Sequence, residues 1–198
     1  VELSAMLAAG AVFAVGIGLA LQDVAQNFIS GAILIIDRSI RPGDVVELDG
    51  RVATVESMGL RATIVRTRDD ERMIVPNRLL VQSVVKNLTL SDKAYRLRVG
   101  VGVAYGSKLA RVREILVRVG DEAAFRDREH APVVLLTSFG SSSIDYELSV
   151  WSADPWRAPI HQSELREAIF SAFQDAGVVI AFPQLDVHLQ PAPQALAA

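Results

Sequence analysis

The chain has no cysteine, so disulfides, thiolate zinc sites and a cysteine nucleophile are all excluded. Histidine is nearly as scarce. His130, His161 and His188 fall in different expected elements with no short metal-ligand spacing, so neither a metal site nor a cofactor is expected. Charge is sparse as well: 22% of the 198 residues are charged, and a formal net charge of -3 offers no clustered basic face for nucleic acid. A phosphate-cradling glycine loop is missing, since Gly100-Val101-Gly102 lies inside an expected strand, where glycine marks a bulge or close packing. Ser141, Ser142 and Ser143 beside Asp145 are explained by a turn rich in glycine and serine. No residue is assigned a catalytic role, and the chain is not read as an enzyme.

What the chain has in abundance is apolar sequence without charge. LSAMLAAGAVFAVGIGLAL, from Leu3 to Leu21, carries no charged residue, and roughly 20 apolar residues in a helix cross the hydrocarbon of a bilayer. Beyond about Arg38 no second run of this kind occurs. One membrane span followed by globular chain is therefore expected. The first residue is Val1 rather than Met, so further spans upstream are expected. A cleaved signal peptide is not, because a basic n-region is missing and the apolar run continues to Ile36. Arg38, Arg41 and Arg51 follow the span closely and favour a cytoplasmic location for what comes after it.

The span is unusually rich in small residues. Glycine costs about 1 kcal/mol relative to alanine in a helix, and close helix-helix approach is the usual compensation in membranes. At about 100° per residue, Ala11, Ala14 and Gly18 form one small stripe, and Ala5, Ala9, Gly16 and Ala20 form another on nearly the opposite side. Between them lie Val12, Val15 and Leu19 on one flank and Phe13 and Ile17 on the other. Two small faces suit a head-to-tail ring of copies. One of the two flanks then faces the axis. The Val15 and Leu19 flank is preferred, because the bulk of Phe13 suits lipid or an outer helix. A tightly packed span inside an ordinary multi-helix protein is the simpler alternative.

At Gln22-Asp23 two readings stand. Asp23 with Gln26 matches a weak capping box, so a new helix starts after a break, or else one continuous helix carries a tolerated aspartate. The domain outline adopts a break near 22–23, with Gln22, Asp23 and Gly31 as hinge positions. It assigns residues 1–39 to the membrane helix, 40–90 to a small all-β, Sm-like barrel, 91–190 to an α+β ferredoxin-like domain and 191–198 to a tail. Barrel strands are expected at Val45 to Leu48, Arg51 to Glu56, Leu60 to Thr67, Arg72 to Val75 and Val84 to Asn87, with Asp49-Gly50 as a hairpin turn. The last domain reads βαββαβ: strand Tyr95 to Val103, helix Lys108 to Val119 capped by Ser107, strands Val133 to Phe139 and Ile144 to Trp151, helix Ile160 to Ala176, and strand Asp186 to Leu189. Arg68, Asp69, Asp70, Glu71 and Arg72 bunch in a strand connection. They form a solvated turn or, repeated around a ring, a set of vestibule charges that filters ions.

The run GIGLALQDVAQNFISGAILIIDRSIRPGDVVEL, Gly16 to Leu48, resembles the pore helix and following strand of the small-conductance mechanosensitive channel family. IVPNRLLV (Ile74 to Val81), VGVAYGS (Val99 to Ser107) and FPQLDV (Phe182 to Val187) continue the resemblance in order. It implies a homo-heptamer in the inner membrane, multi-pass in the full-length product, with its C-terminal domains cytoplasmic. It further implies a lipid bilayer as partner, opening by membrane tension, and release of ions and small solutes on hypo-osmotic shock. The family's constriction positions align with Val15 and Leu19. Asp23 stands where the best-known member has the glycine of its helix kink. The competing reading is a membrane-anchored oligomeric scaffold or signalling module that does not conduct.

Overall fold

The computed structural model describes residues 2–90 and 94–187, and its first element is a single α-helix, α1 (Glu2–Asp37, 36 residues). At 1.5 Å per residue α1 is roughly 54 Å along its axis. The helix runs through Gln22 and Asp23 without interruption, so the expected break near 22–23 is absent. The physical reason lies in Asp23: its carboxylate is taken by an arginine elsewhere in the chain rather than by the backbone donors a new helix start would expose.

The polypeptide divides into two compact units. The first holds the chain up to Tyr95 together with Ser152–Ala158, and the second holds Arg96–Trp151 and the residues from Pro159 on. In the first unit, β1 (Val45–Leu48), β2 (Arg51–Met58), β3 (Ala62–Thr67), β4 (Arg72–Pro76) and β5 (Lys86–Asn87) form one sheet in the order β4-β3-β2-β1-β5. All pairings are antiparallel, and a bulge interrupts β2 between Val55 and Ser57. Each of the expected strands is present. Asp49 and Gly50 both have positive φ (47° and 76°), the geometry a two-residue hairpin turn requires. A short helix, α2 (Asn77–Gln82), lies between β4 and β5. Val46, Val55, Val65 and Leu80 close the core together with Leu34 of α1 and Ile40.

The Ser152–Ala158 segment belongs to this first unit because Arg68 holds it there. Arg68 Nε donates to the Trp156 carbonyl at 3.0 Å and Nη2 to the Pro155 carbonyl at 2.9 Å, with the guanidinium 5.7 Å from the Trp156 ring.

In the second unit, β6 (Tyr95–Val103), β7 (Val133–Phe139) and β8 (Ile144–Ser152) pair in the order β6-β8-β7, accompanied by α3 (Leu109–Glu122) and α4 (Ala158–Asp175). Val112, Ile115, Leu116 and Val119 recur at the helical period on α3 and are buried with Leu165, Ile169 and Phe173 of α4. Two expectations fail here. Ser107 does not cap α3, whose first turn makes no side-chain cap bond and starts after Lys108. Of the expected last strand, Asp186 and Val187 are not in a strand, and His188 and Leu189 lie outside the described residues. The ferredoxin-like fourth position is filled earlier, by an antiparallel bridge between Val103 and Ile180 flanked by Ala104 N to Val179 O at 3.0 Å and Ala181 N to Gly102 O at 3.0 Å. The expected tail at 191–198 lies outside the described residues.

Candidate pore helix and its docking seam

Helix α1 has two halves with different surroundings. Every described side chain from Leu3 to Ala25 is exposed, whereas Gln26, Asn27, Ser30, Gly31, Ala32 and Leu34 are covered. The covered positions repeat at three and four residues, so they form one face. That face lies on the β sheet unit, while the residues from Met6 to Gln22 are exposed throughout. Ala11, Ala14, Gly16, Gly18 and Ala20 are all exposed, and a Cβ placed on Gly16 or Gly18 would meet nothing within 4 Å. Val15 and Leu19 are 63% and 67% exposed.

The seam is built by three polar contacts and one steric one. Arg78, on α2, donates from Nη1 to Asp23 Oδ1 and to Gln26 Oε1 at 3.3 Å. Its backbone N–H donates to Asn27 Oδ1 at 3.1 Å, which also supplies a partner for one of the open donors at the start of α2. Beneath Arg78 sits Asn77, fully buried. Asn77 Nδ2 donates to the carbonyls of Gly59 at 2.9 Å and Leu60 at 3.0 Å, and its Oδ1 accepts from Thr63 Oγ1 at 2.8 Å. The buried amide thereby ties the β2–β3 connection to the start of α2 with its polar atoms satisfied.

Gly31 is where α1 comes closest. A Cβ there would lie 2.3 Å from the Leu60 carbonyl oxygen and 2.4 Å from Asn77 Nδ2. Asp23 and Gly31, chosen from sequence as hinge positions, are thus docking positions, whereas Gln22 is exposed. Asn27, Asn77 and Arg78 were not singled out. Asn77 and Arg78 do lie within the Ile74 to Val81 motif, and the only sequence signal for their role is the placement of Pro76-Asn77 directly after a strand.

The charge cluster of residues 68–72 is largely engaged within its own unit. Arg68 is committed to the Pro155 and Trp156 carbonyls. Arg72 Nε contacts Glu56 Oε2 at 2.9 Å, Asp70 accepts from Arg66 at 3.3 Å, and Glu71 lies 3.8 Å from Arg51. Asp69 is exposed. These ion pairs lie at the surface, with the side chains of Asp70, Glu71 and Arg72 78%, 62% and 65% exposed, so the cluster is a solvated turn laced with ion pairs.

The two described histidines, His130 and His161, pack against aromatic rings. His161 stacks on Phe125 with ring centroids 4.1 Å apart, and His130 Nδ1 lies 2.7 Å from Asp127 Oδ2 beside Trp151. His188 lies outside the described residues. The Asp127 carboxyl is held below its usual range, first by the Glu129 backbone N–H and then by His130. Among the described residues no cluster could hold a metal ion.

Two family models match this chain. Residues 23–90 match the mechanosensitive ion channel beta-domain, and residues 97–180 match the C-terminal part of the mechanosensitive ion channel MscS. An uncharacterized MscS family protein of Haemophilus influenzae is 37% identical over 91% of this chain, and the mechanosensitive channel MscK of Escherichia coli is 35% identical over 90%. The chain spans only 16% of the length of each of these relatives. Among solved structures, the crystal structure of Helicobacter pylori MscS in a closed state superposes with a TM-score of 0.87 at 27% identity, covering 97% of this chain and 76% of that one.

Proposed function

The chain belongs to the MscS-like family of mechanosensitive channels, and from that premise we propose that it forms the pore and cytoplasmic part of a tension-gated channel. The family is one of channels rather than enzymes. The observation that carries the reading is the division of α1. Its lower half is docked on the β unit, while the most apolar stretch of the helix is wholly bare, with none of its membrane-length window buried.

Bare apolar helix is stable only against lipid or against other copies. Phe13 and Ile17 suit lipid. The two small stripes, Ala11, Ala14 and Gly18 on one side and Gly16 and Ala20 on the other, suit neighbouring helices, since the open space at Gly16 and Gly18 admits another backbone. That leaves Val15 and Leu19 for the axis of a homo-oligomeric ring, a heptamer by family likeness. Stacked apolar rings close such a throat by dewetting, because water there finds no hydrogen-bond partners. Tension favours the state with the larger in-plane area and shifts the equilibrium towards it. Ions and small solutes then leave during hypo-osmotic shock. The membrane is the inner membrane, upstream spans complete the sensor, and the β and α+β units face the cytoplasm.

Patch recording of the full-length protein in liposomes tests this. Leu19→Ser should hydrate the throat and lower the opening threshold, with leak at rest, while Ile17→Ser on the opposite flank should leave the threshold near wild type. Equal thresholds in the two variants would overturn the assignment of the axis, and no tension-dependent current in the wild type would overturn the function.

A further inference from the structure

Asp23 is the only charged residue between Leu3 and Ile36. It sits one helical turn after Leu19, at the boundary where α1 passes from bare to docked. Aspartate is a poor residue for a helix interior and an expensive one near hydrocarbon. Because α1 is unbroken, no helix start needs its carboxylate as a cap. What the carboxylate has is Arg78.

The arginine is committed to it from the other side. Arg78 Nε is buried without a hydrogen-bond partner, so the guanidinium is held to α1 through Nη1 alone, shared between Asp23 and Gln26. The Asp23 side chain is 73% exposed and that of Arg78 34%. The pair is therefore within reach of electrolyte, unlike the Asn27 and Asn77 bonds beside it. Arg61 lines the same cleft, of about 280 Å³, with Asp23, Val24 and Asn27, and Asp23 is the one carboxylate among the residues lining it.

We propose that the Asp23–Arg78 pair is a salt-sensitive clamp between the gate end of α1 and the β unit, making channel opening respond to electrolyte concentration as well as to tension. The proposal rests on the reading of α1 as the helix that lines the throat. Widening the throat moves Leu19 outward, and Asp23, one turn along the same helix, moves with it. Contacts of hydrogen-bond length to Arg78 do not survive displacement by a few ångströms. The clamp therefore favours the closed throat. Screening weakens it, since the Debye length falls from about 10 Å at 0.1 M to about 3 Å at 1 M salt. Exposed pairs of this kind shift an equilibrium by about 1.5- to 5-fold each, and a ring multiplies the factor by acting on every subunit at once.

The test is the opening threshold of the full-length channel in excised liposome patches, recorded in KCl of about 0.1 M and about 1 M, the two concentrations above. Wild type should open at lower tension in the concentrated salt. Asp23→Asn and Arg78→Gln, each retaining the amide contacts of the seam, should open at low tension in both. The charge swap Asp23→Arg with Arg78→Asp should restore both the high threshold and its salt dependence, a rescue that damaged packing would not show. Native mass measurement checks that each variant assembles. Equal salt responses in wild type and Asp23→Asn would overturn the clamp. If Leu19→Ser still lowers the threshold in that case, the gate reading survives without it. If instead Asp23→Asn acts as described while Leu19→Ser does nothing, the clamp stands and the constriction lies elsewhere.

Discussion

Gly31→Ala pits helix propensity against packing, and the two predict opposite signs. Glycine to alanine in a helix interior gains about 1 kcal/mol where the new methyl is free. At Gly31 it is not free. The Cβ would sit 2.3 Å from the Leu60 carbonyl oxygen, about 1.1 Å inside the 3.4 Å at which ordinary contact begins. Neither neighbour yields easily: Leu60 O is backbone, and Asn77 is fully buried and bonded to Gly59, Leu60 and Thr63. Overpacking of this kind costs about 1 to 3 kcal/mol, and pushing Asn77 off one carbonyl costs about 1 kcal/mol more. Against the propensity gain, the net is a loss of about 2 kcal/mol, or a fall in Tm of roughly 4 to 8 °C for a chain of this size. Thermal unfolding of the detergent-solubilised protein, followed through Trp151 and Trp156 fluorescence, measures it. In an Asn77→Ala background the amide clash is gone and only the Leu60 carbonyl remains, so Gly31→Ala should cost less there by at least about 0.5 kcal/mol. A Tm that stays level or rises in the single variant would refute the close approach of α1 to the β unit.

Gly18→Leu places a branched side chain on a small stripe that is open within one chain, so the protomer should fold normally while the ring weakens. Native mass measurement should show smaller species, and intact wild-type rings would count against this packing. Arg68→Ala removes two hydrogen bonds from a partly solvated guanidinium and should cost about 1 kcal/mol, loosening Ser152–Ala158. Faster proteolysis within that segment is the readout, and Asp69→Lys, at an exposed neighbour, should leave it unchanged. Asp145 is held below its usual value of 3.8 by the Ser143 and Ser138 hydroxyls, each at 2.7 Å. A depressed folded pKa contributes stability that is present above the unfolded value and lost as pH falls through the folded one. Stability should therefore decline below about pH 3.8, and Asp145→Asn should flatten part of that decline; an unchanged acid slope would show the contribution to be absent.

Much of this protein was written in local pattern. The apolar run, the small-residue stripes and the period of α3 are properties of short windows, and the helices follow from them directly. The turn at Asp49-Gly50 was legible for the same reason, since positive φ at both positions demands residues of those types. The barrel strands and their meander followed once such turns were placed. What local pattern could not decide was where partners separated by fifty or more residues would meet. Asp23 read equally well as a cap or as a tolerated charge; the unbroken α1 bears out the second, and its contact with Arg78, 55 residues away, was not legible. Gly31 read as a hinge, and its close approach to the β unit was not legible, because the Leu60 carbonyl and the Asn77 amide that demand its missing side chain lie far along the chain. Arg68 read as a vestibule charge, while its bonding partners are backbone carbonyls at Pro155 and Trp156. Short-range sterics and the hydrophobic period act along the chain and can be read from it. Hydrogen bonds and van der Waals exclusion act across space, so their outcome exists only after the chain has folded.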